Sequence, residues 1–273
     1  MELKVLSFNI WDLPLWFVKN RKERLLGTIK YLRDLDADIV CLQESFDVKH
    51  RKILHENLKD IYFFSGAMAK SRKVLFFKVF DKSGGLVTLS KYPILQSNFV
   101  PYSRVFNSAV GEALARKGFL ETVVKTPVGE LKVVNTHLHE ETFLFDRTLR
   151  LKQLGKIFQQ FNGRGIPAIL VGDFNQHSME RQEDFSELFE LIGFYHPLRY
   201  NNESHEAPTY RPGNPYVESW PNRTRGPKRF DYILVKGLKQ MGLHAEYYHP
   251  QYLNPPLSDH DPLLLVLSEK GGG

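Results

Sequence analysis

The sequence predicts an α/β protein built around mixed β-sheet. Short apolar runs alternate with segments of helical period along all 273 residues. The stretch TPVGE joins two alternating runs so closely that they must pair antiparallel, with Pro127 and Gly129 as turn formers. No repeat, low-complexity tract or linker interrupts the pattern, so one domain is expected over residues 1–270, followed by a flexible tail at 271–273. Hydrophobic residues at 42% against 25% charged supply a sizeable core and exclude a disordered chain.

Taken in order, LKVLSF reads as the first strand, and a helix begins near Arg24, where Leu25, Ile29, Leu32 and Leu35 recur on one side. ADIVCLQ, GLVTLS, FLETVVK and LKVVNTHL follow as strands, the last two forming the hairpin. A second helix begins near Asp146 and carries Leu151, Leu154, Phe158 and Phe161. The run IPAILVG is a strand, and Phe185, Leu188, Phe189 and Ile192 mark a third helix. The Pro-, Asn- and Arg-rich stretch from Tyr195 to Lys228 is a surface excursion expected beside a working site. FDYILV and PLLLVL close the list of strands.

Thirty-seven Lys and Arg against 31 Asp and Glu give a net charge of +6, which favours an anionic partner: nucleic acid, an anionic membrane surface or a phosphorylated substrate. The single cysteine, Cys41, sits in the apolar run IVCL, which excludes an internal disulfide framework and suits a reducing compartment. The opening MELKVLSFNI lacks the pattern of a signal peptide, and no apolar run approaches the roughly 20 residues that span a bilayer. A cytoplasmic location, with peripheral membrane contact, is therefore the expectation.

Polar residues of chemically useful types fall where the apolar runs stop or start. Asn9 follows LSF, Glu44 follows IVCLQ, His137 ends VVNTH, and Asp173 and Asn175 follow AILVG, all at the carboxyl ends of their strands. Asp231 in FDYILV and His260 in SDHDPLLLVL lie instead at strand entrances, so they join the others only if those strands run the opposite way. Each residue alone also has an ordinary reading: Asn9 as a turn former, Glu44 as a solvated end or helix cap, His137 as a half-buried histidine, GlyAspPheAsn as an Asx turn. Acids flanked by apolar strand residues, such as Asp231, need a partner when buried.

The ordered stretches LSFNIW, IVCLQES, GGLVTLSKYPI, KGFLETVV, VVNTHLH, LVGDFNQ, RFDYILV and LSDHDPL resemble those of the endonuclease/exonuclease/phosphatase superfamily, which includes pancreatic-type DNases, abasic-site endonucleases, inositol polyphosphate phosphatases and neutral sphingomyelinases. The resemblance implies a four-layer α/β sandwich of two packed mixed sheets with helices outside. It implies a metal, Mg2+ or alternatively Mn2+ or another divalent cation, on Glu44, supported by Asn9 and, through a water, by Asp259. It further implies His260 as general base, Asp231 as the acid that fixes its tautomer, Asp173 and Asn175 as groups that orient the nucleophile and bind the phosphate, and His137 as donor to a non-bridging oxygen. The reaction implied is hydrolysis of a phosphodiester substrate by in-line attack of water, with no obligate protein partner.

NIWDLP, THLH, KGF and the pairing of Arg150 with Gln153 look similar to neutral sphingomyelinases, while abasic-site endonucleases usually carry an acid where this chain has Trp11. A sphingomyelinase-like phospholipid phosphodiesterase is thus the leading expectation, with a DNA endonuclease or exonuclease as the alternative and a phosphatase on a small substrate behind both. Arg116 departs from the asparagine that bacterial sphingomyelinases often place before the KG pair. In LPLWFVKNRK, Trp16 and Phe17 beside basic residues either contact a membrane interface or pack beneath a loop. KSRKVLFFKVF repeats the basic–aromatic mixture and suits a nucleic-acid backbone equally well.

Overall fold

The computed structural model describes residues 1–66, 71–74, 77–81, 83–102, 115–140, 146–161, 165–176, 189–190, 192–197, 207–218 and 226–269. Its elements in chain order are β1 (Glu2–Asp12), α1 (Arg21–Leu35), β2 (Ile39–Ser45), α2 (Val48–Leu58), β3 (Phe63–Ser65), β4 (Ser71–Val74), β5 (Phe77–Asp81), β6 (Val87–Ser90), β7 (Ile94–Pro101), β8 (Gly118–Thr126), β9 (Gly129–His137), α3 (Asp146–Phe158), β10 (Ala168–Asp173), β11 (Asp231–Lys236), β12 (Leu243–Pro250) and β13 (Leu263–Glu269). A six-stranded sheet has the order β12-β13-β1-β2-β6-β3, and a five-stranded sheet the order β11-β10-β9-β8-β7. Both are mixed: β1 runs parallel to β2 but antiparallel to β13, and β10 runs parallel to β9 but antiparallel to β11.

Strand alternation dictates the layers. Leu3 and Val5 of β1 and Ile39 and Cys41 of β2 face Leu131 and Val133 of β9 and Ile169 and Val171 of β10 in a core between the sheets. The opposite residues, Leu6, Phe8, Val40 and Leu42, pack under Leu25, Ile29 and Leu32 of α1 and Leu54 and Leu58 of α2. On the far side Val134 and Leu170 meet Leu154, Ile157 and Phe158 of α3. Helices, sheet, sheet and helix therefore make the four-layer sandwich that the sequence resemblance implies. Each fully buried aliphatic side chain in these layers contributes about 1.5–3 kcal/mol.

All eight expected strands are present, and the TPVGE hairpin joins β8 to β9. Helix α1 begins three residues earlier than the apolar period indicates, at Arg21. The third expected helix falls largely on residues outside those described; Phe189 and Glu190 are helical. Elements without a clear sequence signal are instructive. β3, β7 and β12 are sheet edges, and the four residues Leu95–Asn98 of β7 are all exposed, so no alternation marks them. In α2 the buried positions are Val48, Arg51, Leu54 and Leu58, and the arginine breaks the apolar stripe. Its guanidinium donates to Ser45 O, Leu86 O and Ser83 Oγ, while Asp47 caps the helix by accepting from Lys49 N and His50 N.

No helix among the described residues is long and apolar enough to cross a membrane. Trp16 is 95% exposed and makes an edge-to-face pair with Phe17, so this tryptophan does not pack beneath a loop. Over the stretch KSRKVLFFKVF and the aspartate that follows it, Ser71–Val74 (β4) pairs antiparallel with Phe77–Asp81 (β5) as a separate two-stranded ribbon.

Candidate active site

Antiparallel pairing solves the placement problem posed by the sequence. In the register of the five-stranded sheet Asp173 lies opposite both His137 on β9 and Asp231 at the entrance of β11. In the six-stranded sheet Asn9 pairs with Gln43, the residue before Glu44, and β13 runs back against β1 so that its entrance, just after His260, lies at the same end. Asn9, Glu44, His137, Asp173, Asn175, Asp231, Asp259 and His260 are thereby gathered at one end of the sandwich.

Their side chains form a connected set. Asn9 Nδ2 donates to Glu44 Oε1 at 3.2 Å and to Asp173 Oδ2 at 3.0 Å, bridging the two sheets. His137 Nε2 lies 3.5 Å from Asp173 Oδ2 and 3.9 Å from Glu44 Oε1. His260 Nδ1 and Asp231 Oδ2 are 2.8 Å apart, leaving Nε2 of the ring 3.8 Å from Asp173 Oδ2. Two of the ordinary readings also hold: Asn9 Oδ1 accepts from Trp11 N and Asp173 Oδ1 from Asn175 N, so both residues form Asx turns. In each turn the residue two positions on, Trp11 or Asn175, takes positive φ near 50°. Asn175 turns its Nδ2 to Leu138 O at 3.0 Å. Gly172 sets the close approach of β10 to β9: with φ +144°, a Cβ there would stand 1.9 Å from Thr136 O.

Burial and mutual charge shift these groups. Burial first and the Asp259 carboxylate second push Glu44 up to about 8. Burial raises Asp173, with His260 pulling against it. Burial alone would lower His260, but Asp231, Asp173 and Asp259 outweigh it and hold the imidazole well above its usual range. Burial and named charges thus perturb three neighbouring groups together, the property that makes this cluster the candidate site.

Oxygen and imidazole atoms of Glu44, His137 and Asp173 lie within 4.8 Å of one another, as do those of Asp173, Asp231 and His260. Glu44 Oε2 is buried and has no hydrogen-bond partner among the described residues. An unengaged carboxylate oxygen in an acid-rich, buried cluster fits a divalent cation with oxygen preference. Asn9, by contrast, presents its NH2 to the carboxylates and its oxygen to Trp11, so as placed it positions Glu44 and Asp173. Asp259 takes a hydrogen bond from Ser258 Oγ and acts on Glu44 through its charge, standing outside both clusters of ligand atoms.

Other groups at this end of the sandwich are not among the candidate site residues of the sequence. The buried Lys117 donates to Leu138 O at 2.9 Å, and its charge favours the ionised forms of Glu44 and Asp173. Thr209 Oγ1 accepts from Asp231 N, and the rings of Tyr210 and Phe230 flank His260 at 5.6 and 5.8 Å. Thr209 and Tyr210 belong to the Tyr195–Lys228 stretch, which thus does reach the site. The buried Arg24 donates to Ile10 O, Trp11 O and Leu257 O, tying the end of β1 to the loop that carries Asp259 and His260.

A model of the Endonuclease/Exonuclease/phosphatase family matches residues 6–260. Among curated relatives, the inositol phosphosphingolipids phospholipase C of Schizosaccharomyces pombe is 31% identical over 188 residues, covering 64% of this chain and 41% of that protein. A putative neutral sphingomyelinase of Drosophila melanogaster is 26% identical over 295 residues, covering 98% and 61%. This chain therefore spans less than two thirds of the length of either. Among solved structures, sphingomyelinase C from Streptomyces griseocarneus shares the fold with a TM-score of 0.71 at 19% identity, over 97% of this chain and 99% of that one.

Proposed function

Because the chain belongs to the endonuclease/exonuclease/phosphatase family, we propose that it is a Mg2+-dependent phosphodiesterase that hydrolyses the headgroup phosphodiester of a sphingolipid. The observation that carries the chemistry is the Asp231–His260 pair, directed at Asp173 beside the Glu44–His137–Asp173 cluster. Asp231 fixes the tautomer and orientation of His260, whose Nε2 accepts a proton from the attacking water. Asp173, held by Asn9 and by the amide of Asn175, orients that water. His137 donates to the phosphoryl oxygen as charge builds, and Asn175 keeps Asp173 and Leu138 in register with it. Glu44 would hold the cation, facing Asp173 and His137 of the other sheet, with Asn9 fixing its carboxylate and Asp259 acting from outside through a water. When bound, Mg2+ polarises the phosphoryl oxygen and offsets the negative charge that otherwise keeps His260 protonated.

The lipid substrate is supported by the two curated relatives, both described as acting on sphingolipids or sphingomyelin, and by the surface after β1. Trp16, with the exposed Lys19 and Lys22 close by in sequence, protrudes from the loop that leaves the site end of β1, where an aromatic–basic group suits the headgroup region of a bilayer. Purified protein with Mg2+ is tested in parallel on sphingomyelin vesicles, lysophospholipid, plasmid DNA and an inositol phosphate. Release of the phosphorylated headgroup from sphingomyelin, abolished by chelation, is expected. Cleavage of DNA without lipid turnover overturns the substrate, and turnover that survives chelation overturns the metal dependence.

A further inference from the structure

The face of each strand that lines the space between the sheets changes character along its length. On β1 it reads Leu3, Val5, Ser7, Asn9; on β2 Ile39, Cys41, Gln43; on β9 Leu131, Val133, Asn135, His137; on β10 Ile169, Val171, Asp173. Apolar residues give way first to small polar and amide side chains and then to the ionisable groups of the site. The middle tier, Ser7, Gln43 and Asn135, is fully buried.

Within that tier a hydrogen-bonded pair crosses from sheet to sheet. Gln43 Nε2 donates to Asn135 Oδ1 at 2.8 Å, and also reaches Cys41 O and Ser7 Oγ. Asn135 Nδ2 returns two bonds across the gap, to Leu42 O at 3.0 Å and Val87 O at 3.1 Å. Packing alone does not require this arrangement. Two amides buried between apolar sheets carry a desolvation penalty, and Gln43 Oε1 stays buried without a hydrogen-bond partner. A pair of aliphatic side chains of similar volume would fill the space at no such penalty.

We propose that Gln43 and Asn135 are positioning residues for the cation site: they lock the separation of the two sheets at the tier beneath it. Gln43 is the residue before Glu44, and Asn135 stands two residues before His137 and, by register, opposite Val171, two before Asp173. The Glu44 carboxylate comes from one sheet, whereas His137 and Asp173 come from the other. Apolar packing is non-directional and tolerates a slide of one sheet over the other; three amide hydrogen bonds to fixed backbone and side-chain acceptors do not. A shift of 1 Å at this level would be felt directly in the 3.9 Å gap between Glu44 and His137.

The inference rests on the proposed cation site, and the test separates the two. Mn2+ is titrated into metal-free wild type, Gln43→Met, Gln43→Asn and Val133→Ala by calorimetry, and the melting temperature of each metal-free protein is recorded. Gln43→Met removes the cross-sheet donor at nearly constant volume, and Gln43→Asn keeps an amide one methylene too short to span the gap. Val133→Ala loosens the same face one tier deeper. Both Gln43 variants are expected to bind Mn2+ at least tenfold more weakly, with Gln43→Met melting within a few degrees of wild type or above it. Val133→Ala is expected to melt lower yet bind Mn2+ as wild type does. Wild-type affinity in the Gln43 variant that folds, or an equal loss in Val133→Ala, overturns the positioning role. Failure of the wild type itself to bind Mn2+ overturns the cation site instead.

Discussion

At the scale of single residues, the site is organised by groups that do two things at once. Asn9 and Asp173 each use one oxygen to close an Asx turn and direct their other polar atom toward Glu44 or one another. The turn removes the side chain's rotational freedom, so the outward atom is held in place without further partners. His260 depends similarly on Asp231: with Nδ1 held at 2.8 Å, the ring can neither flip nor exchange tautomers. Asp231→Asn is therefore expected to lower kcat by about 10²–10⁴-fold while leaving KM within a few-fold. Steady-state kinetics on the substrate identified above measures this; an unchanged kcat removes the pair from the mechanism.

Elements contribute through where they end. β10 must stop with Asp173 opposite both His137 and Asp231, which requires its backbone to approach β9 at Gly172 more closely than any side chain permits. Gly172→Ala is expected to destabilise the fold by about 3–5 kcal/mol through backbone displacement, read from denaturant unfolding. A change below about 1 kcal/mol would mean that β9 and β10 can separate freely. The loop after β1 acts outward instead. Trp16→Ser is expected to weaken sedimentation with anionic phospholipid vesicles several-fold, with hydrolysis of a water-soluble phosphodiester unaffected. Equal sedimentation of the two proteins would assign membrane contact elsewhere.

Across the whole molecule, the two sheets are joined along one flank by a seam of polar aromatic groups. Tyr248 of β12 takes a hydrogen bond on its hydroxyl from Ile233 N of β11, and the buried Arg229 stacks over Tyr248 and Tyr232 at 4.8 and 5.4 Å. His196 packs edge-on against Tyr248 at 4.9 Å. Its Nε2 is buried, and burial first, then Arg229, push the imidazole down to about 3. The sign follows directly: between pH 6.5 and 3 the unfolded chain binds a proton at this histidine and the folded chain does not, so stability falls as pH falls through that window. The loss is at most about 1.4 kcal/mol per pH unit. His196→Phe is expected to lose less stability than wild type between pH 6.5 and 4.5, measured by denaturant midpoints; parallel losses would exclude His196 as the source.

By itself the sequence determined the central strands and the α/β class, and it singled out the polar residues that the fold gathers at one end, because buried strands carry continuous apolar runs and those residues stand where such runs stop or start. It also carried the turn-former reading of Asn9 and Asp173, and in the folded chain both close Asx turns while Asn9 also reaches Glu44 and Asp173. Edge strands such as β7 escaped because half-solvated backbone imposes no alternation, and α2 escaped because Arg51 occupies an inward position for the sake of three distant acceptors. Only the tertiary structure decided that the entrances of β11 and β13 meet the exits of β1, β2, β9 and β10. That outcome depends on strand direction, and strand direction is set by pairing between segments about 260 residues apart, such as Leu6 with Leu264, not by the residues of either segment.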